Sequence, residues 1–264
     1  MKFILKALFV CAFTVFSIVT SAFYNNIPEP YRIRTVIIDA GHGGKDPGCK
    51  GSSVHEKEIA LGIALKVGKY IEENLKDVNV IYTRTKDKFI ELHERAAIAN
   101  RNNADLFISI HCNSGVNAAY GTETYTMGLH VTEANLKVAQ FENSSILMED
   151  DYTTQYDGFD PNSPESYIIF SLYQNVNMEK SLMLASKVEE QFKTKARRKS
   201  RGVKQAGFLV LYRTAMPSVL IETGFLTNKE EEKYLRSEDG QSYIASAIYR
   251  SFKEYKNEVE VSSN

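Results

Sequence analysis

Residues 36–61 read VIIDAGHGGKDPGCKGSSVHEKEIAL. An apolar run suited to the middle of a sheet breaks into a glycine-rich loop, and the loop ends where a helical repeat begins. Ile59, Ile63, Val67, Tyr70, Ile71 and Leu75 recur at helical spacing over residues 57–76. Strand, glycine loop and helix in that order make the opening unit of a layered α/β domain. Two polar residues mark the loop, His42 just inside it and Glu56 at the first turn of the helix. Either each serves local structure, with Ser53-x-x-Glu56 forming a capping box and His42 bonded to backbone, or both face one ligand.

Outward from this stretch the alternation continues. VNVIYTR (78–84) and DLFISIH (105–111) read as strands, and a helix over about 91–102 places Leu92, Ala96 and Ala99 on one face. The sheet resumes at GTETYTM (121–127). The pattern predicts an α/β fold: a mixed, largely parallel sheet flanked by helices. Residues 128–178 break the rhythm with a helical pattern over 133–149, the acidic residues 149–151, and a loop holding Gly158, Pro161 and Pro164. This reads as a helical insertion. A helix carrying Leu182, Ala185, Val188 and Phe192 follows, then the basic run KTKARRKSRG from Lys193. LVLYRTAMPSVLIETGFLT presents two strand-like runs around Pro217, and a last helix spans 229–256 with an interruption near Gly240. One domain over 33–257 is expected, with a frayed tail over 258–264.

The 264 residues, 43% hydrophobic and 25% charged, are ample for a core. A net charge of −1 gives no global field for nucleic acid. Lys2 and Lys6 precede ALFVCAFTVFSIVTSAF, with small residues at Thr20-Ser21-Ala22, which is a secretory signal peptide pattern over residues 1–22. The alternative is a membrane anchor, for which the apolar run is short. Cleavage would leave no stable membrane span and a periplasmic or secreted protein. Cys11 lacks the small preceding residues of a lipid-attachment site. Cys49 and Cys112 remain, too few for a disulfide framework, and whether they meet is a matter of distance.

Several polar residues fall at one edge of the expected sheet. His42 follows the first strand, His111 ends DLFISIH, Glu222 ends PSVLIE, and Glu56 opens the long helix. Ligands of open α/β sheets bind at the carboxyl edge. Two histidines and a carboxylate can hold a catalytic zinc with one open position, and a further carboxylate can act as base. Structural alternatives stand beside each: a loop histidine, a strand-end histidine, a capping glutamate. Glu222, following Val219, Leu220 and Ile221, heads for the core, where an unpartnered carboxylate is costly.

IIDAGHGGKDPGCKG resembles the opening motif of the zinc-dependent N-acetylmuramoyl-L-alanine amidases of the Amidase_3 type. VHEKEIAL, TRTKDKFIELHERAAIAN, SIHCNS and PSVLIETGFLTNKEEEKYL are similar to that family's later motifs, in family order across residues 35 to about 250. The resemblance implies that His42, Glu56 and His111 bind Zn2+ and that Glu222 is the catalytic carboxylate. It implies hydrolysis of the amide between N-acetylmuramic acid and L-alanine in peptidoglycan, in wall turnover or daughter-cell separation. Some cell-separation amidases of the family carry a helix in the insertion that plugs the zinc site with a carboxylate and is released by LytM-domain activator proteins. Here Glu142 and Glu149 are the candidate plugs.

Glu123 is a candidate for holding a ligand histidine from behind, or a cross-strand polar partner. Arg84 and Arg95 match family positions or serve as ion pairs at the sheet edge. Asn113 is a candidate substrate contact and Cys49 a candidate ligand, whereas Cys112 should face away from His111 along the strand. The basic run Lys193–Arg201 reads as a solvated helix end or a contact for anionic wall polymer. Rival functions are a zinc peptidase cutting within the stem peptide, a peptidoglycan-binding protein without catalysis, and a surface adhesin.

Overall fold

Val36, Ile37, Ile38 and Ala40 are fully buried, so both faces of their strand are covered. This strand, β1 (Thr35–Ala40), is followed by α1 (Glu56–Asn74), β2 (Asn79–Tyr82), α2 (Leu92–Arg101), β3 (Leu106–Asn113) and β4 (Thr122–Met127). Then come α3 (Glu133–Asn143), a 3-10 turn (Ser144–Met148), α4 (Tyr152–Gln155) and a second 3-10 segment (Pro164–Leu172). The chain ends with α5 (Met178–Thr194), β5 (Ser200–Ala206), α6 (Leu209–Tyr212), β6 (Ser218–Phe225), α7 (Lys229–Arg236) and α8 (Glu238–Ser262). The structure, a computed structural model, describes residues 31–172 and 177–262. The expected leader over 1–22 lies outside the described residues. Among the described residues no helix is long and apolar enough to cross a membrane.

Among the described residues six strands form one sheet in the order β2-β1-β3-β6-β4-β5. β2, β1, β3 and β6 run parallel, β4 is antiparallel to β6, and β5 runs parallel to β4. The expected mixed, largely parallel sheet is therefore present. The reversal has a local consequence: the beginning of β4 lies beside the ends of β3 and β6, with Glu123 opposite Glu222 and Glu222 opposite His111. α1 buries Ile59, Ala60, Ile63, Ala64, Val67 and Ile71, a stripe at helical spacing. Covering each of its larger side chains contributes about 1.5–3 kcal/mol.

Four details differ from the sequence pattern. Leu209–Tyr212 is a helical turn, not a strand; Leu209, Val210 and Leu211 enter the apolar cluster of Phe107, Tyr125 and Leu220. A short apolar run serves a buried helix as well as a buried strand. The missing strand is Ser200–Ala206, at the end of the basic run, where an edge strand tolerates Arg201 and Lys204. The last helices divide at Ser237, whose backbone is extended (φ −73°, ψ 144°), rather than at Gly240. The tail expected to fray from 258 continues as helix to Ser262.

Candidate metal centre

The chain turns back on itself after β1. His42 takes a left-handed conformation (φ 57°), as do Gly44 (φ 57°) and Gly48 (φ 66°), and a non-glycine residue held there is strained. Two arginines hold the turn. Arg84 donates to the carbonyls of Ala40 (2.9 Å) and Gly41 (2.6 Å). Arg95 bonds the Ala40 (2.7 Å) and His42 (2.9 Å) carbonyls and pairs with buried Asp39 (2.8 Å). The space inside is tight: a Cβ on Gly48 would stand 2.6 Å from both His42 Cδ2 and Glu56 Oε2, and one on Gly41 would enter the His111 ring.

This folding brings His42, Glu56 and His111 together, and α3 adds Glu142. One donor atom from each lies within 4.8 Å of the others. Glu56 Oε1 is 3.1 Å from His42 Nε2 and 3.0 Å from His111 Nδ1, while Glu142 Oε2 is 3.1 Å and 2.8 Å from the same nitrogens. Donors bonded to a tetrahedral zinc at about 2.0–2.1 Å stand roughly 3.3 Å apart, so these separations fit a small cation. His42 Nε2 and Glu142 Oε2 are close and buried, yet make no hydrogen bond. Unpaired buried polar atoms converging on one point are what a cation site requires. Burial alone would discharge the histidines. Glu56 and Glu142 reverse this, holding His42 well above its ordinary pKa, and Glu142 and Glu56 lift His111 to about 10. Two carboxylates here call for positive charge between them, which a divalent ion supplies.

Glu56 does not cap its helix. Its oxygens accept from the Cys49 (2.9 Å) and Cys112 (2.8 Å) amides, and the box is closed by Glu58 reaching the His55 amide at 3.4 Å. Ser53, expected to pair with Glu56, bonds Glu232. Glu222 is fully buried, and among the described residues neither of its oxygens has a hydrogen-bond partner. Burial, then the neighbouring Glu142, raises its pKa well above the carboxylate range.

The family match covers residues 36–254, from β1 into α8, under the description N-acetylmuramoyl-L-alanine amidase. The chain belongs to this amidase family. It is 34% identical over 229 residues to the Bacillus subtilis protein YqiI, covering 86% of this chain and 87% of that one. To the amidase AmiA of Escherichia coli K12 it is 33% identical over 219 residues, 81% of this chain and 73% of the relative. The crystal structure of an N-acetylmuramoyl-L-alanine amidase from Clostridium difficile 630 superposes with a TM-score of 0.64 at 29% identity, covering 86% of this chain and 98% of that one.

Within this amidase fold the two candidate plugs part company. Glu142 joins the cluster and Glu149 does not. In one continuous helix, positions seven apart share a face. Here α3 ends at Asn143, and the 3-10 turn swings the residues beyond it off that face. Glu149 instead accepts the Leu92 amide (2.7 Å) at the start of α2 and the Tyr156 hydroxyl (2.7 Å), with Glu91 and His93 nearby. Glu123 touches neither histidine; it bonds Asn113, Tyr125, Arg201 and Lys204. The carboxylate behind His42 is Asp46, 2.8 Å from Nδ1, which also accepts the Gly48 amide and the Ser145 hydroxyl. Sequence reasoning passed over Asp46, although a carboxylate four residues beyond a glycine-loop histidine was the available signal. It also missed Asn143, which bonds the Gly207 carbonyl and the Leu209 amide and so fixes the end of α3. Cys49 is a free thiol directed at the Cys112 carbonyl, outside the cluster.

Proposed function

We propose that the protein is a secreted, zinc-dependent N-acetylmuramoyl-L-alanine amidase, held closed by its own helix α3. The observation that carries this reading is the four-residue cluster with two buried donor atoms left unpaired. His42, Glu56 and His111 would hold the ion. When bound, zinc supplies a Lewis acid that polarises the scissile carbonyl and acidifies water. Glu222 takes the proton of the attacking water on a carboxylate oxygen and delivers it to the departing alanine nitrogen. Asp46 fixes the His42 ring, and Arg84 and Arg95 hold the backbone that presents it.

Glu142 competes for the place that substrate must take. His42, His111 and Glu142 are each only 4% exposed, and the adjoining cavity is about 10 Å³, too small for a sugar or a peptide. Activity therefore requires α3 to withdraw. A LytM-domain activator is the proposed partner, and cell separation or wall turnover the proposed role. Mass spectrometry of products from purified peptidoglycan tests this, with the wild-type chain and Glu142→Ala compared. Free stem peptides with a new N-terminal alanine are expected, released at least about tenfold faster by the variant, the effect of losing one charge-assisted contact. Shortened peptides still attached to sugar would move the cut into the stem. Equal rates from the two proteins would remove the inhibitory role of α3.

A further inference from the structure

A groove of about 520 Å³ runs between α3 and the β4–β5 edge of the sheet. Its floor is organised by Glu123, which is 2% exposed. Oε1 of this carboxylate meets Arg201 Nε (2.5 Å) and Lys204 Nζ (2.6 Å), while Oε2 accepts from Asn113 (3.0 Å) and the Tyr125 hydroxyl (2.7 Å). Two cations on one carboxylate leave a net positive charge facing the groove. Arg201 lies over the Phe225 ring (5.0 Å) and Lys204 over Tyr125 (5.7 Å), so both are held in place by more than their shared anion. Arg201 uses Nε on Glu123, and no partner among the described residues engages its terminal amino groups. Its side chain is 34% exposed. A guanidinium presented in this way suits a planar carboxylate.

The position of the groove connects it to the cluster. Glu123 stands opposite Glu222 in the sheet, Asn113 is two residues beyond His111, and Phe141, beside Glu142, forms part of the wall. Arg201 and Lys204 reach back from β5 to Glu123 in β4, one strand spacing of roughly 5 Å from Glu222 in β6. An extended peptide covers that distance in about two residues.

We propose that Arg201 and Lys204 form the recognition site for a carboxylate on the peptide side of the scissile amide, selecting an acidic stem peptide. This rests on the amidase reading above, which places the peptide on one side of the cut bond. The α-carboxylate of a γ-linked D-glutamate, the residue after L-alanine in a bacterial stem peptide, has the required charge and distance. The apolar walls, Phe141 and Phe225, cover the peptide's aliphatic parts.

The test is binding of two synthetic tripeptides, L-Ala-γ-D-Glu-L-Lys and its D-isoglutamine analogue, to the full mature chain by calorimetry. The pair differ by one charge and have nearly the same shape. The acid is expected to bind at least about tenfold more tightly, the worth of a charge-assisted hydrogen bond. Arg201→Gln, checked for a native thermal melt, is expected to erase that preference. Lys204→Gln gives the second variant should the first fail to fold, and is expected to reduce it. Equal affinities in the wild-type chain would overturn the proposal, as would a preference that survives Arg201→Gln. Loss of anionic wall-polymer binding in Arg201→Gln, with the acid–amide preference intact, would assign the cations to the polymer and also overturn it. Because binding is read without turnover, the two readings fail separately. Discrimination by the wild-type chain with no release of stem peptides from peptidoglycan by Glu142→Ala would reject the amidase, and release without discrimination would reject this site.

Discussion

Replacing Glu222 with methionine should make the metal-free protein more stable and leave it almost inactive. Glu222 has 0% exposure and two oxygens without partners, so its burial is uncompensated. Leaving one polar group unsatisfied in a protein interior costs about 1–3 kcal/mol. Methionine fills a similar volume with no polar oxygen, so the gain should be of that size. For a domain of this length, about 1 kcal/mol moves the melting temperature roughly 2–4 °C, giving an expected rise of about 2–12 °C. The gain should also depend on pH. The native carboxyl is raised well above 4.5, so between its unfolded and folded pKa the native state binds the extra proton and stability falls as pH rises. Below pH 4.5 both states are protonated and this penalty is absent. The advantage of Glu222→Met should therefore be smallest near pH 4 and grow toward neutrality. Calorimetry in chelator at pH 4, 5.5 and 7, paired with a peptidoglycan release assay, reads both halves. Turnover should fall by about 10²–10⁴, the range for losing a general acid–base. A lower melting temperature at every pH would refute the argument, because it would mean that Glu222 is a satisfied core residue.

Asp46→Asn should weaken zinc binding by about 10–100-fold, measured by competition with a chromophoric chelator, because the His42 ring loses the carboxylate that orients it. An unchanged affinity would assign Asp46 to the loop alone. Glu232 predicts an acid limit to stability. Burial would raise its carboxyl, but the hydroxyls and amides of Ser52 and Ser53 pull it down to about 2. Its contribution should be complete above pH 4.5 and disappear as pH falls through about 2, and Glu232→Gln should flatten that part of the stability curve.

The strand–loop–helix opening was legible because burial on both faces of β1 leaves a continuous apolar run and the loop needs glycine where a Cβ would collide. His42 and His111 were legible as neighbours because parallel strands carry their terminal residues to one edge, whereas Glu56, at the start of a helix, joined them as a ligand through the resemblance to the amidase family. β5 was not, since an edge strand needs no apolar alternation and its residues read as the end of a basic run. Leu209–Tyr212 was misread for the converse reason: full burial removes the periodicity that separates helix from strand. Glu142 and Glu149 looked equivalent because helical spacing puts them on one face, and nothing in the composition marks the 3-10 turn that separates them. Glu56 likewise satisfied a capping pattern two residues before Glu58, the residue that fills it.

The two thiols have a practical consequence. Cys49 directs its sulfur at the Cys112 carbonyl (3.1 Å), Cys112 lies 3.3 Å from the Thr223 hydroxyl, and burial pushes both pKa values up. The thiolate is the form that oxidants and alkylating reagents attack, so neither sulfur reacts while the fold is closed. Both flank residues of the cluster: the Cys49 amide bonds Glu56, and Cys112 follows His111. Cys49 and Cys112 are thus two silent reporters beside the site. Their rate of labelling by a maleimide counts how often this interior opens to water, with no probe added to the protein.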